Sequence, residues 1–397
     1  MKSILIFGLG FLQKSLIQQC KNLGLRTVGI DPIEDPICKD DVDIFEIVDG
    51  NDYERTIAIA KQYDISGVIC TATDKPLVMM ARIAETFHLP FYSVETAKWS
   101  TDKLLMKQRF LDGGIPCAKG ELISSFKEFS DEKWSFPVIV KPRDNSGSRG
   151  VIYCKDEREV ANAMQEAMQF TKKDNVLIEE FIEGPEYSIE SLHYHGKTHV
   201  IQYTQKQTTK FPYNVELGHI QPADITDFQK KQISEIIAKI AEVLNFNNCG
   251  SHTELKINAN GKITVIETSP RLGGDFITST LVPLSTGINM ERLLAKMSVG
   301  ETIDEDDFNP SVNMTSGVIF FELPEGRIQS IDDIESLASI TGCMTYKFEK
   351  KVGDELNPIT SSLNRYGYAI FQTNNGQQIR KSIENAKTTI KKLVKVL

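Results

Sequence analysis

The sequence predicts a multidomain chain of α/β and α+β class, divided into three modules. Three observations carry this reading. At 397 residues the chain is too long for one compact domain and suits two or three. Its first hundred residues alternate strand and helix signals, the pattern of a parallel sheet covered on both faces. From residue 138 to 266 the pattern changes to longer strands and hairpins with interposed helices. The expected modules are 1–98, 99–305 with a subdomain at about 120–190, and 306–397.

The elements follow from local signals. Residues 3–7 form an apolar strand, Gly8 and Gly10 turn it, and a helix runs to about 22. Short strands follow at 26–30 and 67–70, the second ending at Thr71 and Asp74. Ser100 or Thr101 opens a helix that Gly113 and Gly114 close. Strands are expected at 136–140, 317–322 and 369–372, a helix at 228–244, and a Lys-rich helix at 378–396. No internal repeat or low-complexity tract interrupts the chain.

Composition excludes several classes. Hydrophobic residues make up 41% and charged residues 25%, ordinary values for a globular chain with a sizeable core. The balance of 45 Lys plus Arg against 54 Asp plus Glu gives −9, which argues against a nucleic-acid partner. No apolar run approaches the roughly 18–20 residues of a membrane span, so no membrane partner is expected. The start, MKSILIFGLG, reads as a buried strand and not as a signal peptide. Seven scattered cysteines without a CxxC pair favour a reducing cytoplasm over a disulfide framework or zinc site.

Gly8-Leu9-Gly10 begins like the dinucleotide fingerprint, with Asp31 where a ribose-binding acid would fall. Gln13, however, stands where a third glycine should allow close helix–strand packing. A tight strand–helix turn is the favoured reading over nicotinamide binding.

Three segments carry chemistry. Between Lys141 and Val151, the small residues Ser146, Gly147, Ser148 and Gly150 let backbone N–H groups approach an anion, with Lys141 and Arg149 supplying charge. A plain hairpin turn explains that loop equally well. Next, a strand from Val176 runs through Glu179, Glu180, Phe181 and Ile182 into the acidic exit Glu183-Gly184-Pro185-Glu186. Such a strand end pairs with an adenine edge, and Glu186 or Glu183 accepts from ribose hydroxyls; the bland alternative is a solvated acidic loop.

The strongest segment runs from Ser251 to Arg271. Asn260-Gly261 is a preferred two-residue type I′ turn. That register puts Glu254 opposite Glu267, Leu255 opposite Ile266 and Ile257 opposite Thr264. His252 and Ser269 join the carboxylate face. Two acids so placed repel each other, and a divalent cation with oxygen ligands removes the conflict. The alternative is a surface hairpin whose acids face water. Beyond the turn, Arg271 has the planar fork that clamps a carboxylate or phosphoryl group, unless it makes a structural ion pair. His252 either orients substrate or is a structural histidine. Residues 205–222, from Gln205 and Lys206 through Glu216 and His219, read as a loop rich in Lys, aromatic and turn residues.

In this order the segments resemble the ATP-grasp superfamily, specifically its carboxylate–amine ligases of the biotin-carboxylase-like and L-amino acid ligase-like kind. The resemblance implies a Rossmann-like pre-ATP-grasp domain, an ATP-grasp fold and a small C-terminal α+β domain. It implies ATP and one or two Mg²⁺ ions, with Mn²⁺ as the substitute ion. Lys103 and Lys141 would contact ATP phosphates under a lid of Ser146, Gly147, Ser148, Gly150 and Val151. Glu179, Glu180, Phe181 and Ile182 would read adenine, with Glu186 on the ribose. Glu254 and Glu267 would hold the metal. Arg271 and His252 would act at the substrate, with residues 205–222 on the acceptor side. Many members have Asn where Ser269 stands, and a hydroxyl is the weaker ligand.

The implied reaction joins a small carboxylate, such as an amino acid, to an amine through an acyl phosphate, releasing ADP and phosphate. The alternatives are a purine-pathway ligase, a catalytically silent nucleotide-binding regulator and, third, a dehydrogenase. A homodimer is compatible with all of these.

Overall fold

The computed structural model describes residues 1–145 and 147–397; Ser146, expected in the phosphate loop, lies outside them. The chain opens with β1 (Ser3–Phe7), α1 (Lys14–Asn22), β2 (Arg26–Asp31), β3 (Ile44–Ile47), α2 (Tyr53–Gln62) and β4 (Ile65–Ile69). The four strands form a parallel sheet in the order β3-β2-β1-β4. β1 is buried along its whole length, as a central strand covered on both faces must be. Gly8 takes φ +82° at the end of β1, which frees the chain to turn. Gln13 uses its side chain where the fingerprint has a third glycine. Its amide donates to the Thr71 carbonyl at 2.6 Å and accepts from the Thr71 N–H at 3.1 Å, tying the ends of β1 and β4 together. Asp31 accepts the N–H groups of Leu9 and Ile33, so its carboxylate serves the turn.

Three helices follow: α3 (Leu77–Phe87), α4 (Val94–Thr101) and α5 (Lys103–Asp112). The single helix expected from residue 100 is therefore two helices, broken at Asp102. Ser100 and Thr101 spend their hydroxyls on carbonyls inside α4, Thr96 and Ala97. Asp102, in extended conformation, caps α5 by accepting from Leu104 and Leu105 N–H.

A second, antiparallel sheet contains β5 (Gly120–Ile123), β6 (Val138–Pro142), β7 (Ile152–Cys154) and β8 (Val176–Glu180), in the order β5-β8-β6-β7. Helix α6 (Glu157–Met168) covers it, burying Val160, Ala163 and Met164 against Val138, Val140 and Ile178.

The largest sheet begins with β9 (Glu186–Tyr194), β10 (Lys197–Thr208) and β11 (Glu216–Gln221). The loop expected at 205–222 is thus mostly strand, with β10 and β11 paired from Gln205↔Ile220 onward. After α7 (Asp227–Leu244) come β12 (Cys249–Ile257), β13 (Ile263–Ser269), α8 (Val282–Thr286) and α9 (Met290–Ser298). The last stretch holds β14 (Thr315–Phe320), β15 (Gly326–Ile331), β16 (Cys343–Phe348), β17 (Glu355–Leu356), β18 (Gly367–Thr373), α10 (Gly376–Leu393) and β19 (Val394–Val396). The eight-stranded order is β13-β12-β9-β10-β11-β14-β18-β16, so this sheet runs across the expected boundary near 305. The terminal helix stops at Leu393, and the β-branched Val394 and Val396 pair with β15 instead.

All seven cysteines are free thiols, and burial pushes Cys70 up to about 12. Among the described residues no helix is long and apolar enough to cross a membrane.

Candidate functional site

The β12–β13 hairpin sets the geometry. Glu254 faces Glu267, His252 faces Ser269 and Thr253 faces Thr268. The route to this register differs from the expected one. The turn is a three-residue loop in which Gly261 takes φ +77°, and Ile257 pairs with Ile263. Asn258 fixes it, since its side-chain oxygen accepts the N–H groups of Asn260 and Lys262. A bulge between Glu254 and Leu255 then restores the register, so Leu255 meets Val265 and not Ile266.

Each carboxylate meets its own ammonium. Lys103 Nζ lies 2.8 Å from Glu267, and Lys206 Nζ lies 2.5 Å from Glu254 and 2.8 Å from Glu186. Lys206 is only 7% exposed. Burial opposes its charge, but Glu186, Glu254 and Glu216 together raise its pKa well above the ordinary value. Glu254 is pushed the other way: against the burial penalty, Lys206 and His252 hold it well below the usual carboxylate range. The two carboxylates thus lie opposed, an all-oxygen pair of the kind that suits a divalent cation. Among the described residues no group of three or more His, Cys, Asp or Glu is arranged around an ion position. Ser269 points elsewhere, its hydroxyl donating to Asp74 at 2.6 Å.

A second charged knot lies at the neighbouring strand. Glu179, at the end of β8, is buried between Lys141 at 2.5 Å and Lys107 at 2.8 Å. Despite the burial penalty, these lysines lower its pKa. Lys107 also donates to the Ala118 carbonyl. Close by, Tyr153, Phe181 and Phe211 pack as an aromatic trio, with Tyr153 stacked on Phe211 at 4.3 Å.

These groups converge on one cavity. Its lining includes Lys103, Lys141, Gly147, Ser148, Val151, Glu179, Glu180, Phe181, Ile182, Glu186, Glu254 and Glu267. An adjoining cavity of about 320 Å³ is lined by His252, Arg271, Lys206, Glu216, His219 and Asp275, and shares Gly147, Ser148, Arg149, Glu254 and Glu267 with the first. Ser269 lines a third. Gly150 lines none of these, packing against Phe170 and Pro142 instead.

In the adjoining cavity both expected catalytic side chains are tied down. Arg271 donates from Nε and one terminal nitrogen to Asp74, at 2.8 and 3.2 Å, and from the other to the Leu272 carbonyl. Each terminal nitrogen keeps one further N–H. Asp74 is drawn down to about 2, Arg271 overcoming the burial penalty. His252 has Nδ1 2.7 Å from Glu190 and Nε2 3.3 Å from Glu254. Burial would discharge the ring, but the two carboxylates raise it to about 9, so it is a cation at neutral pH. Gly273 makes room for this pair: a Cβ there would lie 2.8 Å from both Glu190 Oε2 and His252 Nδ1. Asp275 accepts a two-pronged clamp from Arg365 at 2.6 and 2.7 Å. His219, buried beside it, has its Nε2 3.5 Å from Asp275.

Sequence reasoning missed Lys107, Glu190, Asp74 and Arg365 as parts of the site. Lys107 had a signal, lying four residues after Lys103 on one helix. So did Glu190, which shares a face of β9 with Glu186 by strand alternation. Asp74 and Arg365 had none, since their contacts span 197 and 90 residues of chain.

Residues 134–279 match the ATP-grasp domain model, and residues 319–394 match L-amino acid ligase C-terminal domain 2. An uncharacterized Sinorhizobium fredii protein, y4rH, is 24% identical over 79% of this chain and 65% of its own length. An alanine–anticapsin ligase from Bacillus amyloliquefaciens is 26% identical over 61% of this chain and 55% of its own. An L-arginine-specific L-amino acid ligase from Bacillus subtilis is 25% identical over 81% and 78%. The chain thus spans under two thirds of the first two relatives. The crystal structure of an L-amino acid ligase from Bacillus licheniformis superposes with TM-score 0.83 at 20% identity, covering 100% of this chain and 98% of that one.

Proposed function

Because this chain carries an ATP-grasp domain and a C-terminal domain of the L-amino acid ligase type, we propose that it is an ATP-dependent carboxylate–amine ligase. Its substrates would be a small carboxylate, such as an amino acid, and the amine of another. The single observation that carries this reading is the convergence of Lys103, Lys141, Glu254 and Glu267 on one cavity, joined to a second that holds Arg271. The first cavity would take ATP and the second the substrates. The modules 1–98, 99–305 and 306–397 would be the pre-ATP-grasp, ATP-grasp and C-terminal parts, the last two sharing the eight-stranded sheet.

In the reaction a carboxylate oxygen attacks the γ-phosphorus of ATP, and the bond from that phosphorus to the β–γ bridging oxygen breaks. ADP leaves and an acyl phosphate remains. The amine then attacks the acyl carbon, loses a proton and expels phosphate, leaving an amide. No protein nucleophile is required, so positioning and charge neutralisation supply the catalysis. Lys103 and Lys141 would meet the phosphates. The adenine would lie along the backbone of Glu180, Phe181 and Ile182 beneath the aromatic trio, with Glu186 at the ribose. Glu254 and Glu267 would hold Mg²⁺, which neutralises the charge of the transferring phosphoryl group when bound. Ser269, committed to Asp74, would stand outside that ligand pair.

Arg271 would present its remaining N–H groups to the acyl oxygens, with Asp74 fixing the plane of its fork. His252 has both ring nitrogens engaged, so its part would be to position Glu254 rather than to exchange protons. Intact lysines and paired carboxylates favour turnover over a silent nucleotide-binding regulator. A phosphate-release screen over amino-acid pairs with ATP and Mg²⁺ tests the reading. Release that needs both a carboxylate and an amine supports it, and nucleotide binding without release across the panel overturns it.

A further inference from the structure

A cleft of about 610 Å³ lies beside the carboxylate pair, and its charges do not cancel. Three of the four acids on its wall are each paired with a cation, and the fourth is hydrogen-bonded. Asp102 is clamped by Arg143 and by α5 N–H groups, Asp74 by Arg271, and Glu267 by Lys103. Asp144 accepts from the Thr171 hydroxyl. Three lysines on the same wall, Lys75, Lys98 and Lys173, are exposed, and none has a carboxylate or hydrogen-bond partner for its ammonium among the described residues. They come from separate elements: Lys75 precedes α3, Lys98 lies in α4 and Lys173 follows α6. In a chain of net charge −9, three unpaired cations facing one cleft are a local excess of positive charge. Lys75, Arg149 and Glu267 also line the cavity that holds Arg271, so the cleft opens where carboxylate and γ-phosphate would meet.

We infer that this cleft binds a second acidic group of the carboxylate substrate, making the preferred substrate a polyanion with a further carboxylate or a phosphate. The inference rests on the ligase reading for the reaction, but not for the binding. The unreacted acid would sit among Lys75, Lys98 and Lys173 while the reacting carboxylate turns toward Arg271 and the phosphoryl group. Ammonium groups on flexible stems accept either oxyanion as point charges, without the planar match an arginine fork demands.

Calorimetry on the full chain, saturated with Mg²⁺ and a non-hydrolysable ATP analogue, tests this with three probes: L-glutamate, O-phospho-L-serine and neutral L-glutamine. An anionic probe should bind at least about tenfold more tightly than glutamine, with the margin shrinking as salt rises. Whichever anion binds better identifies the group as carboxylate or phosphate. The combined Lys75→Met, Lys98→Met and Lys173→Met variant should lose the margin, and the matching arginine variant should keep it. Affinity for the ATP analogue should change by less than about twofold in both. Equal binding of all three probes overturns the inference, as does a methionine variant that weakens only the nucleotide. Anion binding without ADP formation from any carboxylate would leave the cleft standing and refute the ligase reading. Turnover confined to neutral carboxylates would do the reverse.

Discussion

Glu254 and Glu267 stand directly opposite each other across the β12–β13 hairpin, and each is held by a lysine from a different part of the chain. Lys206 reaches Glu254 from β10, and Lys103 reaches Glu267 from the first turn of α5. Opposed like charges weaken a sheet. Here an ammonium group beside each acid offsets that penalty.

Glu267→Gln should therefore fold normally, because the change is isosteric, yet lose Mg²⁺-dependent turnover. Metal neutralisation of phosphoryl charge is worth several kcal/mol, or at least about a hundredfold in rate. Steady-state ADP formation checks this, and near-parental activity would remove Glu267 from the metal site.

Lys107 should matter to nucleotide binding although it lines no wall of the ATP cavity. It shares Glu179 with Lys141, so without it Glu179 draws wholly on Lys141 and competes with phosphate. In Lys107→Met, affinity for an ATP analogue should fall about tenfold, with some loss of stability from the uncompensated Glu179. Calorimetry at a temperature where the variant is folded decides the point. Lost stability at unchanged affinity would make Lys107 purely structural.

Arg271→Lys keeps the charge but loses the fork that grips Asp74. Turnover should drop by about tenfold to more than a hundredfold, the range of a lost charge-assisted contact of roughly 1.5–3 kcal/mol. Nucleotide affinity should stay within about twofold. Asp74→Asn should give the same pattern, and the double variant little more than either single one. Fully additive losses would show that Asp74 does not orient Arg271.

Glu291 predicts how stability depends on pH. It is buried in α9, accepts from Ser15 at 2.5 Å, and has no partner at Oε1 among the described residues. Burial raises its pKa to about 7 against an ordinary 4.5. The folded chain therefore holds this proton more tightly than the unfolded one. That contribution is complete below pH 4.5 and disappears as pH rises to about 7, a span of about 3 kcal/mol. Glu291→Gln should match the parent near pH 4 and be the more stable of the two by about that amount at pH 8. Denaturant titrations across this range check it, and parallel pH profiles for the two proteins would contradict it.

The sequence made the carboxylate pair legible because strand register is set locally, by turn chemistry and alternation. Even so, the Glu254–Glu267 pairing emerged through two compensating departures, the Asn258-capped loop and the bulge after Glu254. Asp102 was misread as helix interior because Ser100 and Thr101 look like better caps until their hydroxyls are seen bonded backward into α4. The strands at 205–222 were hidden by Lys, Thr and Pro residues that suggest a loop, although their pairing with β9 and β14 supplies the backbone partners. Arg271 and His252 line one cavity, but their partners Asp74 and Glu190 are contributed by other strands and turns. Contacts of that kind leave no local pattern.

The most direct test of the account is isotopic. If a substrate carboxylate attacks the γ-phosphorus and the amine then expels phosphate, one carboxylate oxygen must leave with the phosphate. With a carboxylate found active in the release screen and labelled with oxygen-18, mass analysis of the released phosphate should show one labelled oxygen per turnover and ADP as the nucleotide product. Unlabelled phosphate, or AMP with pyrophosphate in place of ADP, would contradict the acyl-phosphate ligase.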